Sequence, residues 1–435
     1  MSEKLNLHIT GNPFIDSGIY ALKSLVSDDN DINDMTYDHL KEGIRIISKL
    51  YLTPAWNKDM YSIFPNNILT NNAYKDRKKD LYPEELLDLF NSITDMAEFG
   101  TCMGCGRRTS INEHVKRDIP LTGSLSFKNF FSYAKDGADY CSLCVLLIQF
   151  MPLSLFRVGD RFILFHSDSD EVMGYWTKET LNNYHNQVSS GYYLGCFNKG
   201  YKNPVNGIFH IIEKLIRVYD RKQWQKINPS LNFYYFTNYN KEAKLDVYSF
   251  PNNVFRFLTY IPSTEVDNWK YIIKCQYVNI KEDEKEEKYK NKKNRIYENL
   301  LNKRSILKYL FDYQKKVTYC SWNLLRYYLQ EVEKMSDERI KTIRNLGDSL
   351  TEYIKKYDEK SVLTDMEKVE TYSNFTNILR KIMKSKVEKG DTELLCTFDD
   401  FVYNICPDYK FWKETRDLIL FRLYENLSEW LIDNK

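Results

Sequence analysis

The chain has 435 residues, too many for one small core, so two or three domains are expected. Lys and Arg number 62 against 60 Asp and Glu, a net charge of +2, which excludes a protein that binds nucleic acid through a global basic excess; any such surface has to come from local segregation of charge. Tyr is abundant at 34, in the manner of an AT-rich genome, so aromatic content is not read as base stacking.

Met1–Asn6 has no apolar signal-peptide region. The longest apolar run, Leu143–Phe156, is interrupted by Gln149 and Pro152 and falls short of the roughly 20 residues of a membrane helix. Nine cysteines without a secretory signal point to a reducing cytoplasm, where thiols bind metal or stay free.

Leu5, Leu7 and Ile9 alternate with polar residues and predict a half-buried strand. Gly11-Asn12-Pro13-Phe14-Ile15-Asp16-Ser17-Gly18 then makes a turn, with Asp16 or Ser17 available to cap the following helix. The turn is either plain or an anion seat on free backbone N–H groups. Thr36 caps a second helix through Leu40, Ile44, Ile47 and Tyr51, and Pro83 suits the first turn of a third ending near Asp95.

Two C-x-x-C pairs follow, Cys102–Cys105 and Cys141–Cys144. Four thiolates from two knuckles form the ligand set of a structural zinc site, which would close the coordination shell and leave no position for a catalytic water. A redox pair and unliganded buried cysteines are the competing readings. The spacing between the pairs exceeds the roughly 15–20 residues of common zinc ribbons, so the intervening chain must form its own excursion. Gly104 and Gly106 suit the first knuckle's turn. Arg107, Arg108, Lys116 and Arg117 lie just beyond it, either as phosphate contacts or as solvated surface.

The pattern then turns to β structure. Leu155–Val158, Gly159-Asp160 and Arg161–Phe165 read as a hairpin. His166–Asp170 is a turn or, less simply, a metal loop. Helices are expected over Lys178–Asn186 and Ile208–Tyr219, and strands at Leu231–Thr237, Leu245–Phe250, Val254–Tyr260 and Tyr271–Val278. Lys281–Arg295 is nearly all charge, with nothing suited to a core, and marks a linker. Beyond it, helical stripes run through Trp322–Val332, Ile340–Ile354 capped by Ser336, Phe375–Met383, and Trp412–Trp430 from about Asp408. The expected architecture is α+β: residues 1–280 with a zinc-knuckle module at about 100–150, a linker at 281–295, and a helical bundle at 296–435. The bundle balances acid and base, but Lys303, Arg304, Lys308, Lys315 and Lys316 cluster, as do Arg380, Lys381, Lys384, Lys386 and Lys389, either along a phosphate backbone or on a charged outer face.

The six histidines form no H-E-x-x-H, and G-x-S-x-G, P-loop and kinase motifs are missing. The expectation is therefore binding and assembly, not catalysis.

The N-terminal Gly11–Gly18 element together with Cys102-x-x-Cys105 and Cys141-x-x-Cys144 resembles the CXXC–CXXC large subunit of type I-B CRISPR Cascade complexes. Length and the helical C-terminal third are similar as well. The resemblance implies a non-catalytic subunit of an antiviral surveillance complex. There, guide RNA reads the target by base pairing and the large subunit reads a short flanking motif, the PAM, in double-stranded DNA. It also implies partners: other Cascade subunits, the CRISPR guide RNA and a recruited helicase-nuclease, with no membrane. Its bundle would act like a small subunit, which some systems also make from an internal start; Met335 lies in a suitable region. Only Cys102, Cys105, Cys141 and Cys144 transfer as site residues, as ligands of structural zinc. Arg107, Arg108, Lys116, Arg117, Arg380, Lys381 and Lys384 are nucleic-acid candidates from charge alone. The alternative is a stand-alone zinc-stabilised adaptor for nucleic acid or protein.

Overall fold

The structure, a computed structural model, describes residues 3–27, 31–94, 99–123, 137–218, 228–261, 263–281 and 284–433. The expected helix ends at Asp95 and Tyr219, and the middle of the excursion between the two cysteine pairs, lie outside the described residues. The chain divides into two compact units, residues 1–252 with 285–291, and residues 253–284 with 292–435. The first boundary therefore falls near 252, where the expectation had 280.

In the first unit, α1 (Pro13–Val26) is capped by Asn12, whose side chain accepts from Phe14 N, with Pro13 at the first helical position. Asn12 thus takes the role expected of Asp16 or Ser17. Asp16 is instead fully buried, and its carboxylate accepts from Thr10 N, Thr10 Oγ1 and Gly11 N at 2.7–2.9 Å. The turn does seat an anion, but the anion is the chain's own carboxylate. The preceding Leu5 and Leu7 are buried as expected, yet no strand forms: the segment makes one bridge, Lys4 to Thr36, with Leu5 N donating to Met35 O and Tyr37 N to Glu3 O.

Helix α2 (Tyr37–Leu50) opens with a capping box between Thr36 and His39. After α3 (Pro54–Ile63), α4 (Lys78–Asn91) starts earlier than expected and holds Pro83 in its interior. Tyr82 and Leu86, four apart and both buried, anchor the turn around that proline. Four short strands follow: β1 (Phe99–Thr101), β2 (Arg108–Ser110), β3 (Asn112–His114) and β4 (Ala138–Tyr140). They pair antiparallel as β1·β2 and β3·β4 and lead into the wholly buried α5 (Ser142–Phe150).

The expected hairpin is present as β5 (Phe156–Val158) and β6 (Arg161–His166). Ser169 caps α6 (Asp170–Ser190), so His166–Asp170 is a turn into a helix; that helix is far longer than the expected Lys178–Asn186. Strand β7 (Phe197–Asn198) and α7 (Pro204–Val218) precede β8 (Asn232–Thr237) and β9 (Lys244–Ser249). The sheet order is β7-β5-β6-β8-β9, parallel only between β5 and β7. Helix α1 packs on α5, α6 and β6, which places the N-terminal turn between the sheet and the small strands.

The second unit is helical where two strands were expected: α8 (Asn252–Thr259) and α9 (Val266–Cys275) occupy those segments. In α8 the buried residues are Val254, Phe255, Phe257 and Leu258, a helical spacing that the aromatic and β-branched composition had masked. The charged stretch is also less solvated than its composition implies. Asn294 is fully buried; its Nδ2 donates to Ile273 O and its Oδ1 caps α10 (Arg295–Leu301) by accepting from Ile296 N and Tyr297 N. A single amide satisfied on both sides can enter a core that charges cannot. In the first unit, Lys290 Nζ donates to Lys199 O.

The remaining helices are α11 (Trp322–Glu331), α12 (Asp337–Tyr357), α13 (Ser361–Glu367), α14 (Tyr372–Glu388) and α15 (Trp412–Asp433). A small hairpin, β10 (Phe311–Asp312) and β11 (Val317–Thr318), interrupts the all-helical expectation. Ser321, Ser336 and Thr371 cap α11, α12 and α14, and α12 packs along α15. No helix among the described residues is long and apolar enough to cross a membrane.

Candidate metal centre

The first knuckle sits on the β1–β2 hairpin. Thr101 pairs with Arg108, and Cys102 N donates to Arg107 O at 2.9 Å, so the chain reverses across Cys102–Arg107. Gly106 N returns to Cys102 O at 2.8 Å, with Gly106 at φ +71°, the conformation that the sequence predicted. Gly104 does not share it; a Cβ there would come within 2.6 Å of Ile15 Cδ1 and Tyr140 Cε1, so what this position requires is close approach. Met103 N donates to Asp139 O and ties the first knuckle to β4, which delivers the second. Cys141 is the N-cap of α5, and Cys144 lies in the first turn of that helix, where the positive end of the helix dipole favours thiolate.

The four sulfurs converge. All Sγ atoms of Cys102, Cys105, Cys141 and Cys144 lie within 4.8 Å of one another. Four sulfurs at about 2.3 Å from a central zinc would be about 3.8 Å apart, so the quartet fits a tetrahedral ion with little adjustment. Three of the cysteines are buried and Cys105 is partly exposed. Cys141 N donates to Cys102 Sγ at 3.2 Å, and Arg107 directs Nε to Cys105 Sγ at 3.5 Å. The Cys105 thiol is held down by hydrogen bonding, first from Cys102, while Cys144 is pushed up, first by its hydrogen bond to Cys102. The quartet is a donor set sharing protons that a cation would displace. The chemistry of four sulfurs suits zinc.

The basic residues near the knuckles separate in role. Arg107 serves the centre: besides its contact with Cys105, its Nη1 reaches Asn6 O at 3.3 Å. No feature of the sequence distinguished it from its neighbours, because its task depends on a loop 101 residues away in the chain. Arg108 is exposed and lies over the Phe99 ring. Lys116 is half-buried, and Arg117 is exposed beside Asp118 at 3.4 Å.

In the second unit, Arg380, Lys381 and Lys384 line one groove of about 470 Å³ with Asp365, Lys368 and Asn374. Lys384 is 3.7 Å from Glu388, whereas Lys368, Arg380 and Lys381 make no ion pair among the described residues. Two members of the same cluster are otherwise engaged: Lys386 is buried against Asp391 at 3.2 Å, and Lys389 meets Glu359 at 3.0 Å.

Tyr140 also belongs to the surroundings of the centre, and sequence reasoning did not place it. Asn12, which caps α1, hydrogen-bonds the Tyr140 side chain, and Tyr140 packs at Gly104. The N-terminal turn and the cysteine module are therefore one packed unit.

No curated protein and no solved structure matches the chain. Residues 95–156, which span both cysteine pairs, match the model of the family described as CRISPR-associated protein (Cas_CXXC_CXXC), and this similarity supports a CRISPR-associated CXXC–CXXC protein.

Proposed function

We propose that the chain is the non-catalytic large subunit of a guide-RNA surveillance complex of the type I-B Cascade class. In this reading it binds PAM-containing target duplex and helps recruit the helicase-nuclease. The observation behind it is the packing of the Gly11–Gly18 element against the four-cysteine module: Ile15 approaches Gly104 of the first knuckle, and Asn12 hydrogen-bonds Tyr140, which packs at the same glycine. The two sequence features of the resemblance are thus parts of one site, and the family match falls on one of them.

Zinc, when bound by Cys102, Cys105, Cys141 and Cys144, supplies structure: four sulfurs fill the coordination shell and clamp the β1–β4 module to the start of α5. Sequence specificity then rests on base pairing, which asks little direct base reading of the protein. Lys368, Arg380 and Lys381, which make no ion pair among the described residues, supply local positive charge on a chain whose net charge is +2.

The test is purification of the tagged full chain from its own cell, with sequencing of bound RNA. Repeat-flanked guides of uniform length and companion proteins are expected, and complexes lacking this chain should lose binding to PAM-bearing duplex. A clean monomer without RNA, or undiminished duplex binding without the chain, overturns the proposal.

A further inference from the structure

Between α14 and α15 the chain holds a surface that a lone folded unit has no use for. Phe398–Ile405 is helical and widens into a π-helix over Asp400–Ile405, with Cys406 N donating five residues back to Phe401 O. Bonding of this kind brings residues four and five apart onto one face. Phe398, Val402 and Tyr403 have that spacing, and all three are exposed, Phe398 at 79% and Tyr403 at 71%. Leu394, at 71%, precedes them, and Tyr409, at 70%, follows, edge-on to Tyr372. Large apolar side chains scattered singly need no explanation, but five in sixteen residues do.

The backbone beneath is held firmly. Ile405 and Cys406 are buried, and Thr415 Oγ1 donates to Ile405 O at 2.6 Å. Arg339 of α12 donates Nε to Asn404 O at 3.1 Å and pairs with Glu414 at 2.9 Å. A segment anchored this well presents its aromatic side chains by construction. Such widened turns recur at functional sites.

Charge identifies the class of partner. Residues 391–411 contain Asp391, Glu393, Asp399, Asp400 and Asp408 against a single Lys410. Asp391 is occupied by Lys356 and Lys386, whereas Glu393 and Asp399 are exposed and make no ion pair among the described residues. An acidic rim around exposed aromatics repels a phosphate backbone and an anionic lipid surface. It also repels a second copy of itself in a two-fold arrangement. It suits a protein segment with an apolar centre and Lys or Arg flanks.

We propose that the Phe398–Tyr403 face is a docking site for a partner protein that presents an apolar segment flanked by basic residues. The inference goes beyond the nucleic-acid reading and does not depend on it.

The experiment replaces Phe398 with the photo-crosslinking residue p-benzoylphenylalanine in the full chain, produced in its own cell. The expected crosslink goes to one companion protein, within an apolar stretch bordered by Lys or Arg. Crosslinks to RNA, to DNA or to a second copy of this chain overturn the proposal, as does no crosslink. A preparation that keeps its guide RNA and duplex binding yet yields no crosslink overturns this inference and leaves the proposed function standing. Against the purified companion, Phe398→Ser and Tyr403→Ser should each raise Kd about tenfold or more. Asp399→Lys should weaken binding at low salt and flatten its salt dependence. These side chains are exposed, so an unchanged melting temperature confirms folding, and unchanged Kd values in all three variants overturn the proposal.

Discussion

His166 Nε2 lies 3.1 Å from Asp16 Oδ2, joining the end of β6 to the first turn of α1 across 150 residues of sequence. The same carboxylate accepts from Thr10 N, Thr10 Oγ1 and Gly11 N. A fully buried acid with this many donors organises the N-terminal turn from inside. Asp16→Ala leaves those donors buried without an acceptor and should cost about 3 kcal/mol. Asp16→Asn keeps one carbonyl oxygen and should cost less. Chemical denaturation of the two variants beside the wild type checks the order.

Gly18 touches α5 more closely than any other residue type could. A Cβ at that position would stand 1.9 Å from Leu147 O, a backbone atom that cannot rotate away. Gly18→Ala should force α1 and α5 apart and destabilise the first unit by about 2 kcal/mol or more. Loss of zinc affinity should accompany the lowered melting temperature, since α5 carries Cys144 and follows Cys141.

Cys102→Ser and Cys141→Ser should each abolish about one zinc per chain, measured by elemental analysis of purified protein. Zinc binding requires deprotonated sulfur, so affinity should fall as pH is lowered, with protons released on binding at neutral pH. Chelation of the wild type should lower its melting temperature, and stoichiometric zinc in both variants would contradict the site.

Two buried groups in the first unit oppose each other in acid. His210 is lowered to about 4 by burial, assisted by Lys214 and Lys199, and its Nε2 has no hydrogen-bond partner among the described residues. The unfolded chain takes up this proton near 6.5, so stability should fall as pH drops from 6.5 towards 4, by about 3 kcal/mol in full. Glu85 is raised to about 7 by burial, with Asp118 adding to it. The folded state holds that proton where the unfolded chain has lost it, so its stabilisation is complete below 4.5 and disappears as pH rises through 7. Glu85→Gln should make acid destabilisation steeper, and His210→Gln should make it shallower. Denaturation at pH 4.5, 5.5 and 6.5 separates the two.

Arg380→Glu with Lys381→Glu should weaken nucleic-acid binding by the second unit's groove and lower the slope of log affinity against log salt by about one per lost phosphate contact. The neighbouring Lys386 is itself buried and pairs with Asp391, so its reversal should affect folding first. Filter binding at several salt concentrations tests the pair, and an unchanged slope returns the groove to plain surface.

Much of this protein was legible in the sequence because it depends on local chemistry. The caps at Thr36 and Ser336, the Gly159-Asp160 hairpin and the stripes of α12 and α14 follow from bonds and periodicities a few residues long. The meeting of the four cysteines was legible because two C-x-x-C pairs leave few other roles for four thiols. Tertiary structure decided the rest. Val254–Tyr260 and Tyr271–Val278 are rich in strand formers, yet α8 and α9 occupy them and bury Val254, Phe255, Phe257 and Leu258 and the pair Ile272 and Ile273. Asp16 looked like a cap and became an internal acceptor for Thr10 and Gly11, with His166, distant in sequence, closing the far side. The same distance hid the meeting of Arg107 with Asn6 and of Gly104 with Ile15. Spacing in the chain names the ligands of a site, whereas the contacts that hold those ligands in place come from segments far apart and exist only once the chain has folded.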